Sequence, residues 1–287
     1  MADLSQRATL ERRRAARAAA VAAEFEGRLN TDPASLRPLC SRLAELHRRL
    51  EARHLSAARL HEAYASSLDR WAIDDDLTAD VPTFIDAVAS AVGRRSASVT
   101  LLDRNGDESL VATSDATARL AHDVEFVMEE GPARDVAARL RPLRVDSFEL
   151  LERWPRYGPA VADHGVGSLI GLPLRQEPGS CFGALCIFDP SPRGAANVAA
   201  ISGRVADALT HTVLNLPGAI SDDEVPAVPL FDGADFHATV NRAAGIVAAT
   251  LGCDLTDAVA LLRARAFADG LPMETLAHRV IEGDVQI

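Results

Sequence analysis

An α+β fold with helical segments at both ends is what this sequence predicts, and three patterns carry it. Residues 1–75 are rich in alanine and arginine, with apolar positions at helical spacing. The middle of the chain holds two pairs of short β-prone runs separated by helical runs, and the last 55 residues hold three short helical runs with clear end signals. Strands clustered in pairs, rather than alternating strictly with helices, argue for an antiparallel sheet flanked by helices. The expected division is a helical, coiled-coil-like segment at 1–75, an α+β domain at 76–215, a linker at 216–232 and a three-helix module at 233–287. A length of 287 residues suits two or three domains, at roughly 100–200 residues each.

In the first segment, residues 3–30 form one helix, with Val21, Phe25 and Leu29 four apart. Asn30-Thr31-Asp32-Pro33 ends it. Leu36, Leu39, Leu43, Leu46, Leu50, Ala57, Leu60, Tyr64 and Trp71 then keep alternating steps of three and four, with Arg53 and Ser67 in the gaps. Such a heptad repeat reads first as a dimerising coiled coil, with a hairpin of two antiparallel helices within one chain as the alternative. The cluster Arg12, Arg13, Arg14 and Arg17 reads as a solvated helix face beside Glu11.

After Asp74-Asp75-Asp76 the pattern changes. Val81–Val92 reads as a helix with Phe84, Ile85, Val88 and Val92 inward. Residues 97–103 and 109–114 read as strands joined by Asn105-Gly106-Asp107, a hairpin signal. Helices are expected at 116–128, 132–139 and 155–164, strand material at Leu143-Arg144-Val145, a second strand pair at 167–174 and 181–188, and a closing helix at 193–215. Residues 216–232 carry Pro217, Pro226 and Pro229 and four acids. In the last module, the helix 234–251 turns Phe236, Val240, Val247 and Leu251 inward; Asp254 caps the next, Gly270 ends it, and Pro272 suits the first turn of the third.

Composition excludes several chemistries. All 30 basic residues are arginine, so a Walker A loop, a pyridoxal Schiff base and a kinase strand lysine are unavailable. The same absence excludes a phosphoacceptor receiver domain. Gly165–Gly171 mimics a dinucleotide fingerprint, but its spacing is one residue too long and it leads into a strand. His122, His164 and His211 lack metal-ligand spacing, no Gly-x-Ser-x-Gly elbow occurs, and Glu129-Glu130 has no base partner. Neither an enzyme nor a cofactor is expected. Cys181 and Cys186, five apart in a strand, face opposite sides and read as small core residues.

Net charge is −11 and uneven. Residues 71–232 hold 13 arginines against 25 acids, and 233–287 hold four against seven. Nucleic acid would therefore be recognised by a small local patch. Four scattered cysteines, no apolar run of signal-peptide length and no stretch near ~18 apolar residues lead to the expectation of a cytoplasmic protein without membrane contact.

Two resemblances follow from the residues. Ala243 and Gly245, Leu251 and Gly252, Ala258, Leu261, Leu262, Arg263 and Ala266, then Leu276, Ala277 and Val280 closely resemble the ANTAR module of bacterial transcription antiterminators. Glu130-Gly131-Pro132, Arg153-Trp154-Pro155-Arg156-Tyr157, Gly165-Val166-Gly167-Ser168, Leu172–Arg175 and Gly183-Ala184-Leu185 resemble a GAF domain over roughly residues 80–215. Many ANTAR modules carry lysine where this chain has Ala244, and related GAF domains often carry cysteine where it has Ala133.

The ANTAR resemblance implies binding of paired RNA hairpins in transcript leaders and antitermination. Arginine suits that role through its planar fork. Asn241, Arg242, Arg263, Arg265 and Arg279 are the candidate contacts, Arg263 standing at the family's Leu-Arg position; the structural alternative has Arg263 paired with Asp257 or Asp269. Gly245 is expected to permit close helix approach. The GAF resemblance implies sensing of an unidentified small ligand or protein partner, and the sequence names no ligand residues. A homodimer would set the spacing of two RNA-binding modules, with a signal shifting whether they are exposed or folded back on the N-terminal helices. The rival is a signalling scaffold whose ANTAR module does not bind RNA.

Overall fold

The computed structural model describes residues 2–73, 81–103, 106, 108–175, 180–194, 198–215, 229–231, 237–285 and 287. Helices α1 (Ala2–Thr31) and α2 (Arg37–Ile73) open the chain. They form an antiparallel hairpin within one chain, with Arg12 paired to Glu62 at 2.6 Å and Arg48 to Glu26 at 2.7 Å. Its seam is not the leucine heptad. On α1 the buried positions are Leu4, Ala8, Glu11, Ala15, Ala18 and Ala22, and on α2 Cys40, Ala44, Ala58 and His61. The α1 set steps by three and four; the α2 set forms two pairs, Cys40 with Ala44 and Ala58 with His61, 14 residues apart, and the alanines let the helix axes approach closely. Phe25 stacks on His47 across this seam.

The leucine stripe of α2 is unevenly covered, with Leu43 and Leu50 half-buried. Ala57 and Leu60 are buried and Tyr64 packs against the core of the next domain. Leu36, Leu39 and Leu46 remain 41%, 47% and 48% exposed.

The middle domain is built on a five-stranded antiparallel sheet of order β2-β1-β5-β4-β3. The strands are β1 (Ser96–Leu102), β2 (Glu108–Thr113), β3 (Leu143–Val145), β4 (Ser168–Leu174) and β5 (Gly183–Asp189). Every residue of the central β5 is buried. Because side chains alternate across a strand, Leu185 and Ile187 join one core, while Ala184, Cys186 and Phe188 join the other. The first core is closed by α2, α3 (Phe84–Ala91) and α8 (Ala199–Leu214). The second is closed by α4 (Ala116–Met128), α5 (Pro132–Arg139), α6 (Ser147–Arg153) and α7 (Tyr157–Asp163).

Both strand pairs form as expected, and Phe84, Ile85, Val88 and Val92 are buried. Asn105 and Asp107 of the anticipated turn lie outside the described residues. Helix α6 was not expected; a capping box of Asp146 and Glu149 starts it. Cys186 is buried, but Cys181 precedes β5 and is half-exposed, its thiol directed at the Gly183 carbonyl. Most of 216–232 lies outside the described residues. Its Pro229–Phe231 portion forms a 3-10 turn whose Phe231 ring packs on Phe84 in the first core.

The last module comprises α9 (His237–Leu251), α10 (Leu255–Asp269) and α11 (Met273–Glu282). Asp254 caps α10 by accepting the Asp257 N–H at 2.8 Å, and Gly270 ends it with φ +62°. Phe236 lies outside the described residues, and Leu251 is exposed rather than inward, since it is the last residue of α9, where the chain turns at Gly252. No single helix among the described residues is long and apolar enough to cross a membrane.

Candidate nucleic-acid interface

The three-helix module packs around Val240, Ala243, Ala244, Val247, Ala258, Leu262, Met273 and Leu276. This core is small, and it is completed by two residues of the sheet domain, Val111 on β2 and Phe126 on α4. Among the described residues the module therefore rests on the β2–α4 corner of the sheet domain.

Three polar contacts mark the same joint. The Arg263 guanidinium lies 4.4 Å from the centroid of the Phe126 ring and pairs with Glu129. Arg119 of α4 pairs with Glu274 of α11 at 3.2 Å. Asp123, also on α4, is buried, and its Oδ1 has no hydrogen-bond partner among the described residues. Burial, followed by the charge of Glu274, pushes its carboxyl up to about 7, with Arg119 pulling the other way.

Glu129 reaches Arg263 from an unusual backbone position. It ends α4 in the left-handed region at φ +56°, a conformation that costs a side-chain-bearing residue roughly 1–2 kcal/mol. Its neighbour Glu130 accepts N–H bonds from Arg156 and Tyr157 at the start of α7. The adjacent acids thus serve two joints.

The candidate contact residues do not share one face. Arg263 faces Phe126 and Glu129 of the sheet domain and is only partly exposed. Arg265, two positions on, is rotated about 200° around the helix and pairs with Asp269 at 2.7 Å. Asn241 and Arg242 on α9 are exposed, as is Arg279 on α11. Ala244 is buried, so this position is not on an open surface. A Cβ at Gly245 would meet nothing within 4 Å, so this glycine does not serve close helix approach. Sequence reasoning missed Glu129 and Phe126 as partners of Arg263. The exposed Phe267, 62% accessible on α10, was missed too.

Inside the sheet domain, Glu125 is buried and accepts the Arg134 N–H at 2.8 Å. Burial is the main cause that lifts its carboxyl to about 8, the Arg134 N–H opposing it. A Cβ at Gly131 would lie 2.6 Å from the Glu125 side chain, so only glycine leaves it room. The Tyr157 hydroxyl is buried without a partner among the described residues, and burial drives both it and the Cys186 thiol well above their ordinary values. Ala133, at the position where related domains often carry cysteine, is buried beside this group and donates its N–H to Glu125.

Residues 76–209 match the family model of the GAF domain, and residues 234–281 match that of the ANTAR domain. No curated protein matches the chain.

Proposed function

From a chain that joins a GAF domain to an ANTAR domain, we propose a cytoplasmic, homodimeric regulator that senses a signal through its GAF domain and binds paired RNA hairpins to promote antitermination. The observation that carries this reading furthest is the placement of Arg263. The arginine at the family's Leu-Arg position is held by Glu129 and Phe126 of the sensor. The docked arrangement is the resting state, and a ligand or partner at the GAF domain that moves α4 would free Arg263. A shift of this kind needs the signal to bind the released state more tightly than the docked one.

Asn241, Arg242, Arg263, Arg265 and Arg279 are the proposed RNA contacts, with Phe267 as a stacking surface. Two modules on one dimer gain affinity through effective concentration. The uncovered leucines of α2 are the proposed dimer contact, because they continue the stripe that already packs against the sensor.

The test is a labelled transcript leader with two adjacent hairpins, titrated with the full chain at two salt concentrations. A complex that weakens with salt, and weakens further in Arg263→Ala, supports the reading. The second reading, a scaffold whose module does not bind RNA, draws on the excess of seven acids over four arginines in 233–287. It expects no complex at either salt concentration, even when Glu129→Ala has freed Arg263.

A further inference from the structure

Three helices converge at a point that no local pattern connects. Glu11 of α1 is buried, and its Oε2 lies 2.6 Å from His54 Nδ1 of α2 and 3.2 Å from His211 Nε2 of α8. One ligand atom from each residue falls within 4.8 Å of the others. We propose that Glu11, His54 and His211 form a binding site for a divalent transition-metal ion of the zinc type, which ties the N-terminal hairpin to the sensor.

The donor set and spacing support this. Two imidazoles and a carboxylate suit zinc, with the fourth position left to water. Ligands at about 2.0–2.1 Å in a tetrahedron stand about 3.4 Å apart, which the Glu11–His211 pair nearly meets. The closer His54 contact opens by under about 1 Å to admit an ion.

The surroundings match what ligands need. Metal-binding carboxylates and imidazoles are held by outer partners. Arg14 donates to the other Glu11 oxygen at 2.7 Å; the Asn215 amide nitrogen lies 3.2 Å from Nδ1 of His211 and donates to it, so the amide must turn its oxygen to the ring when the proton moves to Nδ1. On binding, each ring gives up the proton it shares with Glu11, either to solvent or by a tautomeric shift to its other nitrogen. His211 lies in the last turn of α8, from which the chain leaves toward the ANTAR domain. The site does not depend on RNA binding.

The full chain, stripped by chelator and dialysed against zinc(II), is expected to retain one zinc per chain. His54→Ala and His211→Ala should each weaken binding by about 100-fold. Cobalt(II) in the wild-type chain should give visible d–d bands without a thiolate charge-transfer band. A thiolate band, or no more zinc than the double histidine variant retains, would overturn the proposal. If the histidine variants lose their helical spectrum, Glu11→Gln keeps the side-chain shape. Weakened zinc binding in that variant supports the site, and unchanged binding sinks it.

Discussion

The hairpin and the ANTAR domain both rest on the GAF domain, but through different chemistry. Apart from the Glu11–His54–His211 cluster, the hairpin side is apolar: α2 packs Ala57, Leu60 and Tyr64 into the core that holds Phe84, and Phe231 closes over the same ring. The ANTAR side adds to Val111 and Phe126 a cation over a ring, two ion pairs and a buried acid. Apolar burial is insensitive to pH and salt, whereas partly exposed ion pairs contribute about 0–1 kcal/mol and are screened. The first joint suits permanent assembly and the second suits release.

The strongest way to break this contrast is at Phe84, which is fully buried where the hairpin, α3 and the 3-10 turn meet. Phe84→Ala should cost about 3–5 kcal/mol of stability in urea denaturation. A loss below about 1 kcal/mol would mean the hairpin joint is loosely packed. Next in size is the uncovered half of the α2 stripe. Leu39→Glu with Leu46→Glu should abolish self-association in sedimentation while leaving the monomer's melting unchanged, and a double variant that remains dimeric would exclude this face.

Glu129→Gly sharpens the comparison at the other joint. Glycine relieves the left-handed strain at the end of α4, by about 1 kcal/mol, while removing the partner of Arg263. The GAF domain should melt no lower, yet the amides of α10 should exchange hydrogen faster and RNA affinity should rise several-fold. Unchanged exchange would show that Glu129 does not hold the module.

The smallest expected effect is that of pH. Asp123 stands at about 7 when docked, whereas a water-exposed aspartate titrates near roughly 3.9. The docked form therefore binds more protons between these values, so docking is fully favoured below the free value and is lost as pH rises through about 7. Interdomain energy transfer should fall from pH 5 to pH 8. Asp123→Asn should remove that dependence, and an equal fall in the variant would assign the change to other groups.

Much of the fold was legible locally. The strand pairs, the Asp254 and Gly270 caps and the inward face of α3 follow from periodicity and end signals that neighbouring residues set between them. The ANTAR and GAF domains were legible as motif order. The seam of the hairpin was not: α2 carries two heptad patterns, and its leucines drew attention while its small residues formed the contact with α1. Choosing between two stripes on one helix requires knowing what packs on each.

The same limit governs the candidate sites. Sequence alone determined which residue types were available, above all arginine without lysine, and where helices and strands begin and end. Only the tertiary structure decided that Arg263 meets Glu129 across 134 residues and that His211 meets Glu11 across 200. Such contacts leave no local pattern, because they depend on how the elements stack and not on how each one forms.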